Sequence, residues 1–184
     1  MLKHWWIVLV SLVFITTWLV RSVDDESITL PKNDLKVPDY TLKNFDTIRM
    51  DETGQLKSQL TAADMIHYPD TNTSITDPVM VFYQDNNPLW TVKAENGEVS
   101  PAADQIWLLG DTTLRQHNQK QPEQSIKIIS KDLWVRIDTE YAYTDAPTTI
   151  ISKFGETKSK GMRIFMPIEQ IELFSQVRGH YVLQ

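Results

Sequence analysis

The chain has no cysteine. That excludes a disulfide framework, a thiolate zinc site, a cysteine nucleophile and a cysteine-linked lipid anchor, while leaving the redox compartment open. Glycine is scarce, six residues in 184, and none builds a phosphate cradle: in Gly155-Glu156-Thr157-Lys158-Ser159-Lys160-Gly161 the lysines fall in the wrong order for a P-loop. There is no G-x-S-x-G elbow and no H-E-x-x-H. The four histidines, His4, His67, His117 and His180, stand at no ligand spacing from one another, so they read as surface or structural residues. Positive charge is in deficit, 18 Lys and Arg against 24 Asp and Glu, for a net charge of −6. A phosphate-neutralising surface is therefore not expected, which argues against nucleic acid as a partner. The acidic pairs Asp24-Asp25 and Asp138 with Glu140 fall in a polar stretch and at a strand end, where solvated charge is the simpler reading. No catalytic set, metal or cofactor emerges, and the chain is not expected to be an enzyme.

One long apolar run is present. Trp5 to Val20 is sixteen residues without a charge. As a helix it would span roughly 24 Å, short of a hydrocarbon core of roughly 30 Å. Lys3 and Arg21 flank it and can snorkel outward, while Trp5, Trp6 and Trp18 lie near its ends, where amphipathic rings settle. Residues 1–21 are read as a single transmembrane anchor. A cleaved signal peptide would need small residues at its processing site, and the chain runs on as Arg21-Ser22-Val23-Asp24-Asp25-Glu26. A buried core helix would show an amphipathic stripe, absent here. The flanking charges orient the span weakly, with the N-terminus cytoplasmic and the bulk of the chain outside.

Residues 22–38 read as a linker, polar and carrying Pro31 and Pro38. From residue 39 to 184 short segments alternate with turn signals, including Asp51-Glu52-Thr53-Gly54, Asp85-Asn86-Asn87-Pro88, Gly110-Asp111 and Asp145-Ala146-Pro147. The segments have period two. Trp90, Val92 and Ala94 share a face; so do Ile106, Leu108 and Leu114, Ile126 and Ile128, Leu133, Val135 and Ile137, and Ile171, Leu173, Val177 and Tyr181. Thr61–Tyr68 is ambiguous between helix and strand and is assigned to a strand. The expected class is all-β, a sandwich or jelly roll.

A series of short pieces, in order, resembles a known family: Met50-Asp51-Glu52-Thr53-Gly54-Gln55-Leu56, His67-Tyr68-Pro69, Thr76-Asp77-Pro78, Trp90 to Gly97, Leu109-Gly110-Asp111, Tyr143 to Pro147, Gly161-Met162-Arg163 and Val177-Arg178-Gly179-His180-Tyr181. Together with the single span, they make the chain similar to the lipopolysaccharide export protein family LptC. One departure is Thr148-Thr149-Ile150-Ile151, where the resemblance leads one to expect a Val-x-Ile strand, and it bears on strand register there. The resemblance implies a periplasmic β-jelly-roll of two antiparallel sheets with an open seam, an inner-membrane anchor, and a complex with the LptB–LptF–LptG transporter through the N-terminal strands and the span. It also implies handover of lipopolysaccharide to LptA through the C-terminal edge strand.

Exposing an acyl chain of about twelve carbons to water costs on the order of 10 kcal/mol, so such cargo needs a continuous apolar trough. The inward parity would supply its walls. The candidate lipid contacts are Phe45, Ile75, Val79, Trp90, Val92, Ile106, Leu108, Ile128, Val135, Ile171, Leu173, Val177 and Tyr181. Alternating apolar residues serve equally as dry core. A tethered enzyme and a purely structural adaptor are the rival readings; the first needs a convergent catalytic set and the second forms no lipid adduct.

Overall fold

A computed structural model describes residues 11–19, 37–69 and 71–181. The chain divides into two units, Met1–Lys36 and Val37–Gln184. In the first, residues 11–19 are helical and exposed throughout. The hydroxyls of Thr16 and Thr17 donate back to the carbonyls of Leu12 and Val13, at 3.0 and 2.5 Å, which keeps these polar groups satisfied within the helix. No helix among the described residues is long and apolar enough to cross a membrane. Lys3, Trp5, Trp6 and Arg21, on which the anchor reading leans, and residues 22–36 of the linker lie outside the described residues.

The second unit is all-β. Its strands are β1 (Tyr40–Met50), β2 (Leu56–His67), β3 (Thr73–Thr76), β4 (Val79–Gln84), β5 (Asn87–Val99), β6 (Gln105–Gln116), β7 (Lys127–Arg136), β8 (Tyr141–Ser152), β9 (Gly155–Phe165) and β10 (Gln170–Tyr181). The segment Thr61–Tyr68 falls almost wholly in β2, as a strand. The strands form one antiparallel meander in the order β1-β2-β3-β5-β6-β7-β8-β9-β10, with β4 continuing the place of β3 between β2 and β5. Antiparallel neighbours need only short turns, and the turn residues match that demand. Asp51 Oδ1 accepts from the backbone N–H of Thr53 and Gln55 at 2.8 and 2.9 Å and closes β1 onto β2. Asp85 and Asn86, at φ 50° and 60°, make the two-residue turn between β4 and β5.

The expected two sheets prove to be two layers of this single sheet. A row of irregularities crosses β1, the β3–β4 junction and β5 to β10 at one level. Asn44, Asp77, Gly110, Asp132, Gly161 and Gln176 all have positive φ. The register shifts at Ala94/Asn96, Leu108/Asp111, Ile129/Trp134, Thr144/Pro147 and Ser175/Arg178. Aligned bulges bend a sheet and raise its local twist, so the row acts as a crease. One layer holds Phe45–Met50 with the strand segments paired to it, and the other holds the Tyr40 side. Both inner faces contribute to one core, in which Phe82, Trp90, Leu114 and Ile128 from the first layer join Ile106, Leu133, Ala142 and Ile164 from the second, each wholly buried.

The crease carries its own polar satisfaction. Asp132 Oδ1 accepts from Gly110 N–H at 2.9 Å, the Thr144 hydroxyl donates to the Lys131 carbonyl at 2.7 Å, and Ser130 and Thr148 share a bond of 2.9 Å. The first two contacts, and the Ser130 hydroxyl on the Pro147 carbonyl at 3.2 Å, pair backbone groups that the bulges withdraw from the ladder, which would otherwise be costly so near the core. Gly161 is required at its place: its φ is +79°, and a Cβ there would sit 2.6 Å from Cδ2 of Phe174, whose ring covers the bare backbone.

Candidate functional site: an apolar groove between the layers

The two layers do not meet along their full width. β1 pairs only with β2, and its residues are exposed except for the half-buried Phe45. Pairing places Leu42 beside Met65, Phe45 beside Ala62 and Thr47 beside Leu60, so these β1 residues lie on the inner face. Asn44, at φ 48°, reverses the side alternation between Leu42 and Phe45, while the register with β2 runs on unshifted from Lys43 opposite Asp64 to Phe45 opposite Ala62. Between this flap and the opposite layer lies a groove of about 620 Å³, lined by Leu42, Phe45, Leu60, Met65, Met80, Val99 and Ile137, with Ala102 and Ala103 from the β5–β6 turn and Arg49 toward solvent. The lining is mostly apolar, and nothing among the described residues could hold a metal.

Two contacts tie the layers together near the ends of the strands. Lys57, at the start of β2, donates to the carbonyl of Asp138 at 3.1 Å and faces the Glu140 carboxylate at 3.5 Å. Burial pushes the Glu140 carboxyl above the ordinary range, and the Lys57 ammonium partly offsets this. On the other flank the Gln116 amide donates to the Glu169 carboxylate. Where β1 begins, Tyr40 stacks on His67 of β2, ring centroids 4.8 Å apart, and His67 Nδ1 bonds the Thr73 hydroxyl at 2.8 Å.

The candidate lipid contacts divide into three groups. Phe45 lines the groove, and Ile75 is packed behind it beside Met65. Trp90, Val92, Ile106, Leu108, Ile128 and Val135 are on the inner face as their alternation requires, but each is at most 2% exposed and packed against the others. Ile171 and Leu173 are half-buried against this core from β10, and the pairing of β10 with β9 puts Val177 and Tyr181 on the same side as the buried Ser159 and half-buried Thr157. There the opposite layer no longer covers them, and they are 53% and 68% exposed. Val79 requires a correction: Met80 and Phe82 are the buried residues of β4, which puts Val79 on the outer face. The chain restarts its alternation after the Asp77-Pro78 break, so parity carried across that break assigns the wrong residue.

Several groove residues escaped the sequence reading. Leu60 and Ala62 alternate within β2, and Met80 and Phe82 within β4, which was the available signal. Leu42 had none, because the left-handed backbone at Asn44 breaks the period.

The outer face carries a different surface. Trp107 and Trp134 sit opposite each other on β6 and β7 and stack with centroids 5.0 Å apart and planes within 3°. Tyr143 follows on β8 and Arg163 on β9.

A folded-over antiparallel sheet with an apolar slot under one edge strand defines a class of protein: a β-fold carrier or docking module. Comparison with known proteins narrows this. A family described as "Lipopolysaccharide-assembly, LptC-related" matches residues 6–182. The chain belongs to the LptC family, a family of lipopolysaccharide transport rather than of enzymes. A solved structure with a TM-score of 0.38 and 6% identity, over 79% of this chain and 94% of its own, is LptH of Pseudomonas aeruginosa, described as the LptA homologous periplasmic component of the lipopolysaccharide transport device. No curated protein matches the chain.

Proposed function

We propose that the β-domain takes up lipopolysaccharide delivered by the LptB–LptF–LptG transporter and passes it to LptA, acting from a single-span inner-membrane anchor with the domain in the periplasm. The groove under β1 carries the reading. It is apolar and open at the side, and its flap is held by one neighbour only, so it can widen without breaking the wholly buried core. Removing an acyl chain of about twelve carbons from water saves on the order of 10 kcal/mol, far above the cost of displacing one lightly packed strand. The entry we assign to cargo lies under β1 at Leu42 and Phe45; passage on toward Ile171, Leu173, Val177 and Tyr181 requires the two layers to part, because Trp90, Ile106 and Ile128 are packed between them.

The two edges of the sheet suit the two handovers. β1 and β10 each have one unpaired side, where a strand of a neighbour can add by backbone hydrogen bonds. We assign β1 to the transporter and β10 to LptA.

Photo-crosslinking residues in living cells test this. At Phe45, Leu42 and Tyr181 they should capture lipopolysaccharide, and at Ile129 on the outer face they should not. At exposed positions of β10 they should capture LptA. Absence of lipid adducts at all three inner positions, with the transporter complex intact, would make the chain an adaptor and end the carrier reading.

A further inference from the structure

The outer face of the sheet holds a hollow of about 370 Å³, separate from the groove, lined by Trp107, Trp134, Tyr143, Asp132, Asp145 and the Thr144-Ala146 backbone region. It lies at the crease, where the Asp145-Ala146 bulge lifts β8 away from its neighbours. Three aromatic rings and two carboxylates share this space, and no lysine or arginine lines it. The nearby Lys131 bonds Asp111 at 2.9 Å, with a weaker electrostatic pull from Asp132, and does not line the hollow. Asp132 uses one oxygen on Gly110 N–H, and Asp145 has no partner among the described residues. Trp134 is 36% exposed, unusually open for a tryptophan in the middle of a sheet face.

Ring faces and carboxylates have one preference in common, which is for cations. Aromatic faces are negative, a guanidinium is flat and weakly hydrated, and its fork of N–H donors matches a carboxylate. The protein demonstrates this combination one strand away. Arg163, paired with Tyr143 in the ladder, lies over the rings of Phe165 and Phe174, 5.8 Å from each centroid, and bonds the Glu172 carboxylate. At the hollow the aromatic and acidic parts recur without the guanidinium.

We propose that this hollow is a docking site for an arginine side chain of a partner protein, inserted against Trp134 and Tyr143 and held by Asp132 and Asp145. The occupant is distinct from lipid, which the groove would hold on the other face, and the site stands whether or not the carrier reading does. An ammonium would bind less well, being strongly hydrated and unable to stack.

Indole N–H signals of the ¹⁵N-labelled full chain in detergent micelles, assigned by single Trp→Phe substitutions, provide the test. Titration with N-acetyl-arginine-methylamide should shift the Trp134 and Trp107 signals, and the lysine analogue should need at least about five times the concentration. The neutral citrulline analogue should have no effect. Asp145→Asn and Asp132→Asn together should abolish the arginine response while the remaining indole signals keep their positions, which excludes unfolding. Equal response to citrulline, a response only to a neutral hexose, or no shift at any concentration up to that which perturbs all six indoles would overturn the assignment.

Discussion

The Lys57–Glu140 tie should respond asymmetrically to the loss of its two partners. Glu140 is the buried member, its side chain 11% exposed against 33% for Lys57. Lys57→Met leaves a desolvated carboxylate and the Asp138 carbonyl without their donor. Two charge-assisted contacts are lost, and partial exposure screens them, so the expected cost is about 1–2 kcal/mol at neutral pH. For a domain of this size that lowers Tm by about 2–8 °C. Glu140→Gln removes the charge that burial penalises, while Lys57 keeps the Asp138 carbonyl and water. Stability should stay within about 0.5 kcal/mol of the parent or rise. Because the folded protein holds the Glu140 proton more tightly than the unfolded chain does, this group favours folding most at low pH, and that contribution is lost as pH rises through the raised value. The deficit of Lys57→Met should therefore shrink as pH falls through the same range. Urea unfolding followed by tryptophan fluorescence, in detergent at a series of pH values, measures all of this. If Glu140→Gln costs as much as Lys57→Met, the pair is net stabilising and the reasoning from burial is wrong.

Four further outcomes are expected. Leu42→Asp, at a residue 44% exposed, should change unfolding free energy by less than about 0.5 kcal/mol yet weaken binding of a fluorescent acyl probe by at least about tenfold, as a carboxylate then faces the chain; equal binding would remove Leu42 from the cargo path. His117 is held below the ordinary imidazole range by burial and by Arg115, and its Nε2 bonds the Thr91 hydroxyl at 2.8 Å. The unfolded chain takes up that proton more readily, so stability should fall as pH drops below about 6.5, and His117→Gln should flatten this part of the profile. Gly161→Ala should cost about 2 kcal/mol or more in urea unfolding, from left-handed strain and the Phe174 ring together, and Phe174→Leu should recover only the second part. Phe82→Ala, wholly buried in the first layer, should cost about 3–5 kcal/mol without altering crosslinks to LptA.

The pieces of sequence that carry the family resemblance gain a physical meaning in the fold. Thr76-Asp77-Pro78, Leu109-Gly110-Asp111, Thr144-Asp145-Ala146-Pro147 and Gly161-Met162-Arg163 are the crease, and Met50 to Leu56 is the β1–β2 turn. Bends and turns demand particular residues, since positive φ and withdrawn hydrogen bonds tolerate few side chains. Core positions demand only apolar volume, which is why the strands between these pieces read as generic.

Alternation along the chain determined the all-β class and, for β5, β6, β7 and β10, which side faces inward, because a period of two is a local property of the backbone. Even the ambiguous Thr61–Tyr68 fell the same way. What only the tertiary structure decided was where inward means covered. Ile128 and Tyr181 have the same kind of inner position, yet one is wholly buried and the other 68% exposed, because the opposing layer ends before it reaches the last turns of β10. Likewise one sheet became two layers through bulges that align only when all the strands pair, and the groove exists because β1, at the edge, pairs only with β2 among the described strands. Such facts depend on neighbours distant in sequence, and no window of one chain encodes them.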